Sequence, residues 1–384
     1  MTHLWLASWY PHAGDPFNGD FVQRHALAVS LRAPVTVVHV ARGAGAPAVT
    51  QRGRLTEHIY YSLSRWRALL AYDRAFRAFA RSNGRPAVIH VHVCMIAGVY
   101  ALWARWRYRV PFVVTEHYSI YATSEFLSKP WWYRWVNRRV LARASAVHSV
   151  SAFLLERMRA VAPLRRTMVI PNVVDTRLFR PGNRHAASAN GGGGASANGG
   201  GGARADRPFR FIHVSSFIPL KNVPGILQAF AKLAERRRDW ELVLVGPADE
   251  DTRAKGEGLP VRWTGEVAYR VVAEWMRQSD ALVHFSWVEN QPCVISEALC
   301  CGLPVVAPAI GGIPEAVDAG NGLLVPARDV GALAAALERV MEMTWDHEAI
   351  AQKAAALYDY ERVGEALEAF AIGAVREVRN ATHS

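Results

Sequence analysis

The sequence predicts an α/β protein of two doubly wound domains, and three observations carry that prediction. First, 384 residues are more than one hydrophobic core usually serves. Second, short apolar, β-branched runs alternate with amphipathic helical stretches, the pattern of parallel strands buried on both faces. Third, Ser286 to Val317 reads as loop, helix, strand, Gly-rich loop and the start of another helix. That order puts two helix N-termini at one edge of a parallel sheet.

In the first half, His3 to Ser8 is the opening strand, followed by a Gly/Pro loop and an amphipathic helix bearing Gln23, Arg24 and His25. Gly19 in that loop is either a site glycine or part of an ordinary βα turn. Val35 to Val40 and Val88 to Val93 are the next strands. His90 and His92 alternate on the latter and share a face, but no third ligand stands at a metal-site spacing. Packed histidines are therefore expected and no metal site is assigned. Pro111 to Thr115 is a strand ending in Glu116-His117-Tyr118. A His just past the carboxyl end of a parallel strand lies where doubly wound sheets bind ligands. Ser128 to Ala144 is a helix in which Trp131, Trp132, Trp135 and five cations interleave. It suits an anionic bilayer surface, or else it is a packed helix with some tryptophans in the core. Ala146 to Ser151 is expected to be the last strand of this domain.

The octet ASANGGGG, at 187–194 and again at 195–202, cannot build a core and reads as a flexible linker. From Phe209 the alternation resumes as strand, loop and helix, with further strands at Glu241 to Val245, Trp263 to Gly265 and Ala281 to Phe285. Asp249-Glu250-Asp251 reads as solvated charge in a polar loop. In the stretch singled out above, Pro292 suits a first helical turn, and Val294, Ile295, Ala298 and Leu299 keep helical period up to Gly302 and Pro304. Leu303 to Ala307 is a buried strand, and Gly311-Gly312 turns into Pro314-Glu315-Ala316. Free N–H groups and dipole ends converging there suit a diphosphate. Glu289 on the loop and Glu297 on the helix can face one crevice, where carboxylates accept hydrogen bonds from sugar hydroxyls. After Gly322 to Pro326 two amphipathic helical segments are expected, the last at about 361–378.

Composition narrows the partners. Cys94, Cys293, Cys300 and Cys301 show neither metal spacing nor a disulfide framework, and no run is long enough to span a membrane. The start lacks a basic region and long apolar run, so a cytosolic protein is expected. Residues 1–170 carry 23 Lys+Arg against 7 Asp+Glu (+16), and residues 171–384 carry 22 against 26 (−4). A basic first half points to an anionic partner, a membrane surface or charged acceptor. No helix-turn-helix, RRM or KH pattern supports nucleic acid.

The Ser286–Val317 stretch resembles the E-x7-E and GG-x-P-E signature of retaining glycosyltransferases of the GT-B fold, in particular glycosyltransferase family 4. The resemblance implies two Rossmann-like domains facing across a cleft: residues 1–170 for the acceptor, a hinge and linker over 171–206, and residues 207–360 for the donor. Residues 361–384 would cross back onto the first domain. It implies a nucleotide-diphosphate-sugar donor, no metal or other cofactor, and a glycan or lipid-linked acceptor of surface polysaccharide or glycolipid synthesis. Glu289 would bind the donor sugar and Glu297 the ribose. Asn290, Cys293, Gly311, Gly312 and Ile313 would line the diphosphate and sugar, and Gly265 and Val267 the base. Gly19 would lie where acceptor and donor meet, and His117 would touch the donor. Met168 to Phe179 resembles the family's hinge segment, with Val173 in place of a glycine. Relatives carry Gly-Arg and, five residues on, Lys; here Ser215-Ser216 replaces the pair while Lys221 is kept, so Ser216 and Lys221 would meet the diphosphate. Two other readings stay open: a sugar-nucleotide epimerase of the same fold, and a weakly active scaffold that lost its Arg.

Overall fold

A computed structural model describes residues 3–182 and 207–383, with side chains through 377. The tandem Gly-rich octets lie outside the described residues. The chain divides into two compact units, residues 1–173 with 357–384, and residues 174–356.

Unit 1 is built on an eight-stranded sheet. In chain order it runs β1 (His3–Ala7), α1 (Asp20–Ser30), β2 (Val35–Arg42), β3 (Ala48–Arg52), β4 (Leu55–Ser62), α2 (Arg65–Asn83) and β5 (Ile89–His92). Then come α3 (Ile96–Tyr108), β6 (Phe112–Glu116), the short α4 (Glu125–Ser128), α5 (Trp131–Arg143), β7 (Ala146–Ser149), α6 (Ala152–Val161) and β8 (Arg166–Val169). Spatial order is β3-β4-β2-β1-β5-β6-β7-β8, parallel throughout except for β3 against β4. The reversal at β1, between β2 and β5, is the topological switch point of an open α/β sheet.

Strand β1 is buried at all five positions, the signature of a strand covered on both faces. On one face Tyr72, Phe76, Tyr100, Leu141 and Met158 of α2, α3, α5 and α6 make a core. On the other, Val22, Ala26 and Val29 of α1 meet Val363, Leu367 and Phe370 of the final helix. Each such fully buried apolar side chain contributes about 1.5–3 kcal/mol.

Several elements differ from the sequence expectation. The last strand of this sheet is β8 and not the one ending at Ser151, because the polar-rich RTMV run still pairs in parallel with β7. The β3–β4 hairpin escapes a pattern search because every residue of β3 is exposed and no apolar alternation marks it. Helix α5 starts only at Trp131, since Pro130 at its N-cap is extended, and α4 precedes it. Its tryptophans are not core: Trp131, Trp132 and Trp135 are 72%, 46% and 52% exposed, while Asn137, Val140 and Leu141 face inward.

Unit 2 holds a six-stranded, all-parallel sheet in the order β11-β10-β9-β12-β13-β14. Its elements are β9 (Phe209–Val214), α7 (Val223–Ala234), β10 (Trp240–Val245), α8 (Glu250–Ala254), β11 (Val261–Gly265), α9 (Tyr269–Gln278) and β12 (Ala281–Val283). The rest are α10 (Cys293–Cys300), β13 (Val305–Pro308), α11 (Ile313–Ala316), β14 (Gly322–Val325) and α12 (Val330–Glu342). Beyond them lie α13 (His347–Tyr358) and α14 (Tyr360–His383). Three helices thus follow β14, not two, with Asp359 separating the last pair. The acidic triplet is not a loop either. Asp249 caps α8 by accepting a bond from Thr252 N–H at 2.8 Å, with Glu250 and Asp251 in the first turn, where carboxylates favour the helix dipole.

Candidate active site

Most of the residues singled out in the sequence gather on unit 2, at the carboxyl ends of its central strands. The chain leaves β12 through His284 and Ser286 to reach Glu289, while the short turn Pro219–Lys221 after β9 delivers Lys221. Lys221 Nζ donates to Glu289 Oε1 at 2.7 Å, and His284 Nε2 stands 2.9 Å from the same oxygen. A carboxylate only accepts, so His284 carries its hydrogen on Nε2, and Ser286 Oγ, 2.9 Å from that nitrogen, accepts as well. Burial alone would push the Glu289 carboxyl up; the His284 and Lys221 contacts more than reverse this and hold it at about 2. Glu289 is therefore a fixed anion, 8% exposed.

The Gly-rich loop is locked to that anion through the backbone. Gly311 has φ +56°, and a Cβ there would come within 1.8 Å of the Glu289 carbonyl oxygen. Only glycine lets the two loops touch. Gly312 and Ile313, both buried, open the α11 turn, Asn290 is buried beside Glu289, and Cys293 begins α10. Glu297, buried one turn further along α10, accepts a hydrogen bond from Tyr269 OH. Tyr269 opens α9, just past Gly265 and Val267, and Phe179 packs edge-on against its ring at 4.8 Å. Ser216 is exposed at the end of β9, whereas Ser215 Oγ is 2.8 Å from His213 Nε2 and accepts from Phe217 N–H. Sequence reasoning missed His284, Ser286, His213 and Tyr269. For the first two the signal was available, because a His and a Ser at the end of a strand entering the Glu289 loop are polar where the strand pattern is apolar.

Gly19 and His117 belong to unit 1. Gly19 caps α1 at φ +66°, where a Cβ would lie 2.6 Å from the Trp9 carbonyl carbon. His117 follows β6, half-buried, with its ring 4.5 Å from that of Phe21. The preceding Glu116 is wholly buried and accepts from the N–H groups of Cys94, His117 and Tyr118. Burial raises it to about 7 against the pull of those amides. The absence of a third ligand near His92 is corrected by the fold: His25 from α1 and His117 come in beside it, with nitrogen atoms within 4.8 Å of one another. That meeting needs three separate segments, so no local spacing could show it.

Solved structures share this architecture. Sucrose-phosphate synthase of Thermosynechococcus elongatus superposes with a TM-score of 0.76 at 21% identity, over 99% of this chain and all of that one. HepE of Anabaena, in complex with UDP and glucose, superposes with a TM-score of 0.72 at 20% identity, over 96% and 98%. Two parallel α/β sheets with the last helix on the first unit define a GT-B fold. Residues 22–173 match the glycosyl transferase 4-like domain and residues 208–343 match glycosyl transferases group 1. A D-inositol 3-phosphate glycosyltransferase of Actinosynnema mirum is 31% identical over 79% of this chain and 76% of its own length. One of Geodermatophilus obscurus is 27% identical over 92% and 79%. The chain belongs to the group 1, family 4 glycosyltransferases, enzymes that use nucleotide sugars. Among the described residues no helix is long and apolar enough to cross a membrane.

Proposed function

We propose that this enzyme transfers a sugar, with retention at the anomeric carbon, from a uridine-diphosphate sugar held by unit 2 to a hydroxyl of a glycan or lipid-linked acceptor. The observation that carries this reading is the Glu289 anion, held by Lys221 and His284 and locked to Gly311. Such a group, fixed before substrate arrives, orients sugar hydroxyls at no reorganisation cost. The bond from the sugar to the diphosphate breaks, the acceptor oxygen bonds to the same face of that carbon, and the acceptor's proton passes to the departing phosphate oxygen. Lys221 has three donors, one of them on Glu289, and the others face the leaving charge together with the Gly312–Ile313 and Cys293 amides. Glu297, aimed by Tyr269, takes the ribose, and Gly265 and Val267 border the base. Ser216 contributes a hydroxyl where relatives carry Arg. Of the unit 1 residues, His117 is assigned to the donor and Gly19 to the acceptor side of the reaction. The uridine base is chosen because HepE, which shares the fold, has been captured with UDP and with UDP-glucose.

The acceptor side reads as peripheral on an anionic membrane. Helix α3 packs against both α2 and α5 on one face of the unit 1 sheet. That layer exposes Trp66, Trp106, Trp131, Trp132 and Trp135 among arginines. Aromatic rings with cations are the composition that settles at a headgroup boundary.

The test is Glu289→Ala with UDP-glucose and the other common UDP sugars. Transfer is expected to fall about 100-fold or more while UDP still binds. Activity near that of the parent would remove Glu289 from the donor site.

A further inference from the structure

We propose that His25, His92 and His117 form a binding site for one divalent transition-metal ion of the zinc class. The three come from α1, from the end of β5 and from the residue after β6, and they converge at the carboxyl edge of the unit 1 sheet.

The polar-atom accounting points to an occupant. His25 Nε2 lies 3.1 Å from the Pro171 carbonyl oxygen, so that nitrogen carries the hydrogen and Nδ1 is left as a bare lone pair. That lone pair is buried and has no partner. His92 is completely buried and neither of its ring nitrogens has a partner. Most buried polar atoms of native proteins are satisfied, and a bound ion or water is one account of an orphaned one. The bond from His25 to a backbone carbonyl is also the outer-shell contact that fixes a metal-ligating imidazole in its tautomer.

The surroundings fit a cation held by neutral nitrogens. Trp5 stacks on His92 at 4.1 Å and Phe21 lies 4.5 Å from His117, so both rings are packed by aromatic neighbours. Burial keeps all three imidazoles below the ordinary histidine range, so a metal need not displace a proton at neutral pH. The nearby Arg24 is neutralised by Asp20 at 2.7 Å. Imidazole donors favour zinc, cobalt and nickel over magnesium or calcium. An ion about 2.1 Å from each nitrogen in tetrahedral geometry brings the donors to about 3.4 Å apart. The nitrogens lie within 4.8 Å here, so small side-chain rotations close the set. His117, on the loop after β6, is the third donor of the set. Three histidines leave a fourth position for water. An ion seated here takes the His117 lone pair, so it competes with any substrate contact of that ring. The site itself does not depend on the donor reading.

The experiment uses the full chain, untagged and stripped with EDTA, titrated with Co2+ and then with Zn2+. The expected result is one Co2+ per chain with the visible bands of a tetrahedral nitrogen site, displaced by Zn2+. His25→Gln and His92→Gln should each weaken Zn2+ binding about 100-fold. His90→Gln should leave it unchanged, since that neighbour is bonded to Thr115 Oγ1 and lies outside the cluster. If the buried variants lose their cooperative melting, His117→Gln carries the test. No stoichiometric Co2+ or Zn2+ uptake by the parent, or equal uptake by a folded His92→Gln or His117→Gln chain, would overturn the proposal. UDP binding to unit 2, measured in parallel, separates failure of this site from failure of the donor site.

Discussion

Both units are parallel α/β sheets with polar groups at the carboxyl edge, yet they handle those groups in opposite ways. Unit 1 buries His3, His25, His39, His90, His92 and His148 within its interior, all of them held neutral. Unit 2 instead keeps a charged couple, Lys221 with Glu289, and supports it with His284. Neutral imidazoles cost little to bury but leave lone pairs wanting partners; a buried carboxylate survives only because cations and N–H groups meet it. Unit 2 is thus preorganised around a charge, while the buried histidines of unit 1 are held without one. Outside, the contrast reverses, since the first 170 residues carry the excess of positive charge.

Acid should separate the two units most strongly. His3 and His39 titrate at about 4 and His148 at about 3 when folded, because burial disfavours their charged forms; the ordinary value is 6.5. Between those values the unfolded chain binds more protons, so their stabilisation is complete above 6.5 and is lost as pH falls toward 4. The loss grows to about 1.4 kcal/mol for each unit of depression. Unit 2 has His213 in the same window, and Glu289, depressed from 4.5 to about 2, weakens it only below 4.5. Hydrogen exchange at pH 7 and pH 5, corrected for intrinsic rate, should show unit 1 opening first. Earlier opening of unit 2 would break the comparison.

The next effects fall on one unit each. Glu289→Gln keeps the shape but not the charge, so transfer should fall about 100-fold, with unit 1 melting unchanged. Replacing Arg134, Arg138 and Arg139 of α5 by Gln should cost about 3 kcal/mol of binding to phosphatidylserine vesicles at low salt, about 100-fold. Replacing Arg236, Arg237 and Arg238 of unit 2 in the same way should change nothing; equal losses would mean that net charge alone, and not the tryptophan-bearing face, drives adsorption. The smallest effect is at Tyr269→Phe, which removes the hydroxyl aimed at Glu297. UDP should bind about 5-fold more weakly by calorimetry, the worth of one hydrogen bond of about 1 kcal/mol. Unchanged affinity would show that Glu297 needs no such aim.

How much of this could be read from the chain depended on whether the signal was local. Parallel strands buried on both faces announce themselves as apolar runs, and the Glu289, Glu297 and Gly311 set was visible because all three lie within about thirty residues. The β3–β4 hairpin was not, since an edge strand exposed at every position has no inward face to pattern. The histidine cluster was illegible because its three members stand between 25 and 92 residues apart and meet only through the sheet order β1-β5-β6. Tyr269 was hidden differently: it sits where helix periodicity explains it adequately, and only the hydrogen bond to Glu297 gives it a second purpose.

The final helix has a consequence for how the protein comes into being. Gly364 lies so close to α1 that a Cβ would stand 2.5 Å from the Ala28 carbonyl oxygen, and Phe370 is wholly buried in unit 1. Unit 1 is thus assembled from two stretches of chain with the whole of unit 2 between them in sequence, so its α1 side cannot close until the final helix has been made, whereas unit 2 is one continuous stretch. Until that helix docks, the α1 side of unit 1 waits with its apolar face uncovered, the moment at which a folding chain of this kind most needs a chaperone.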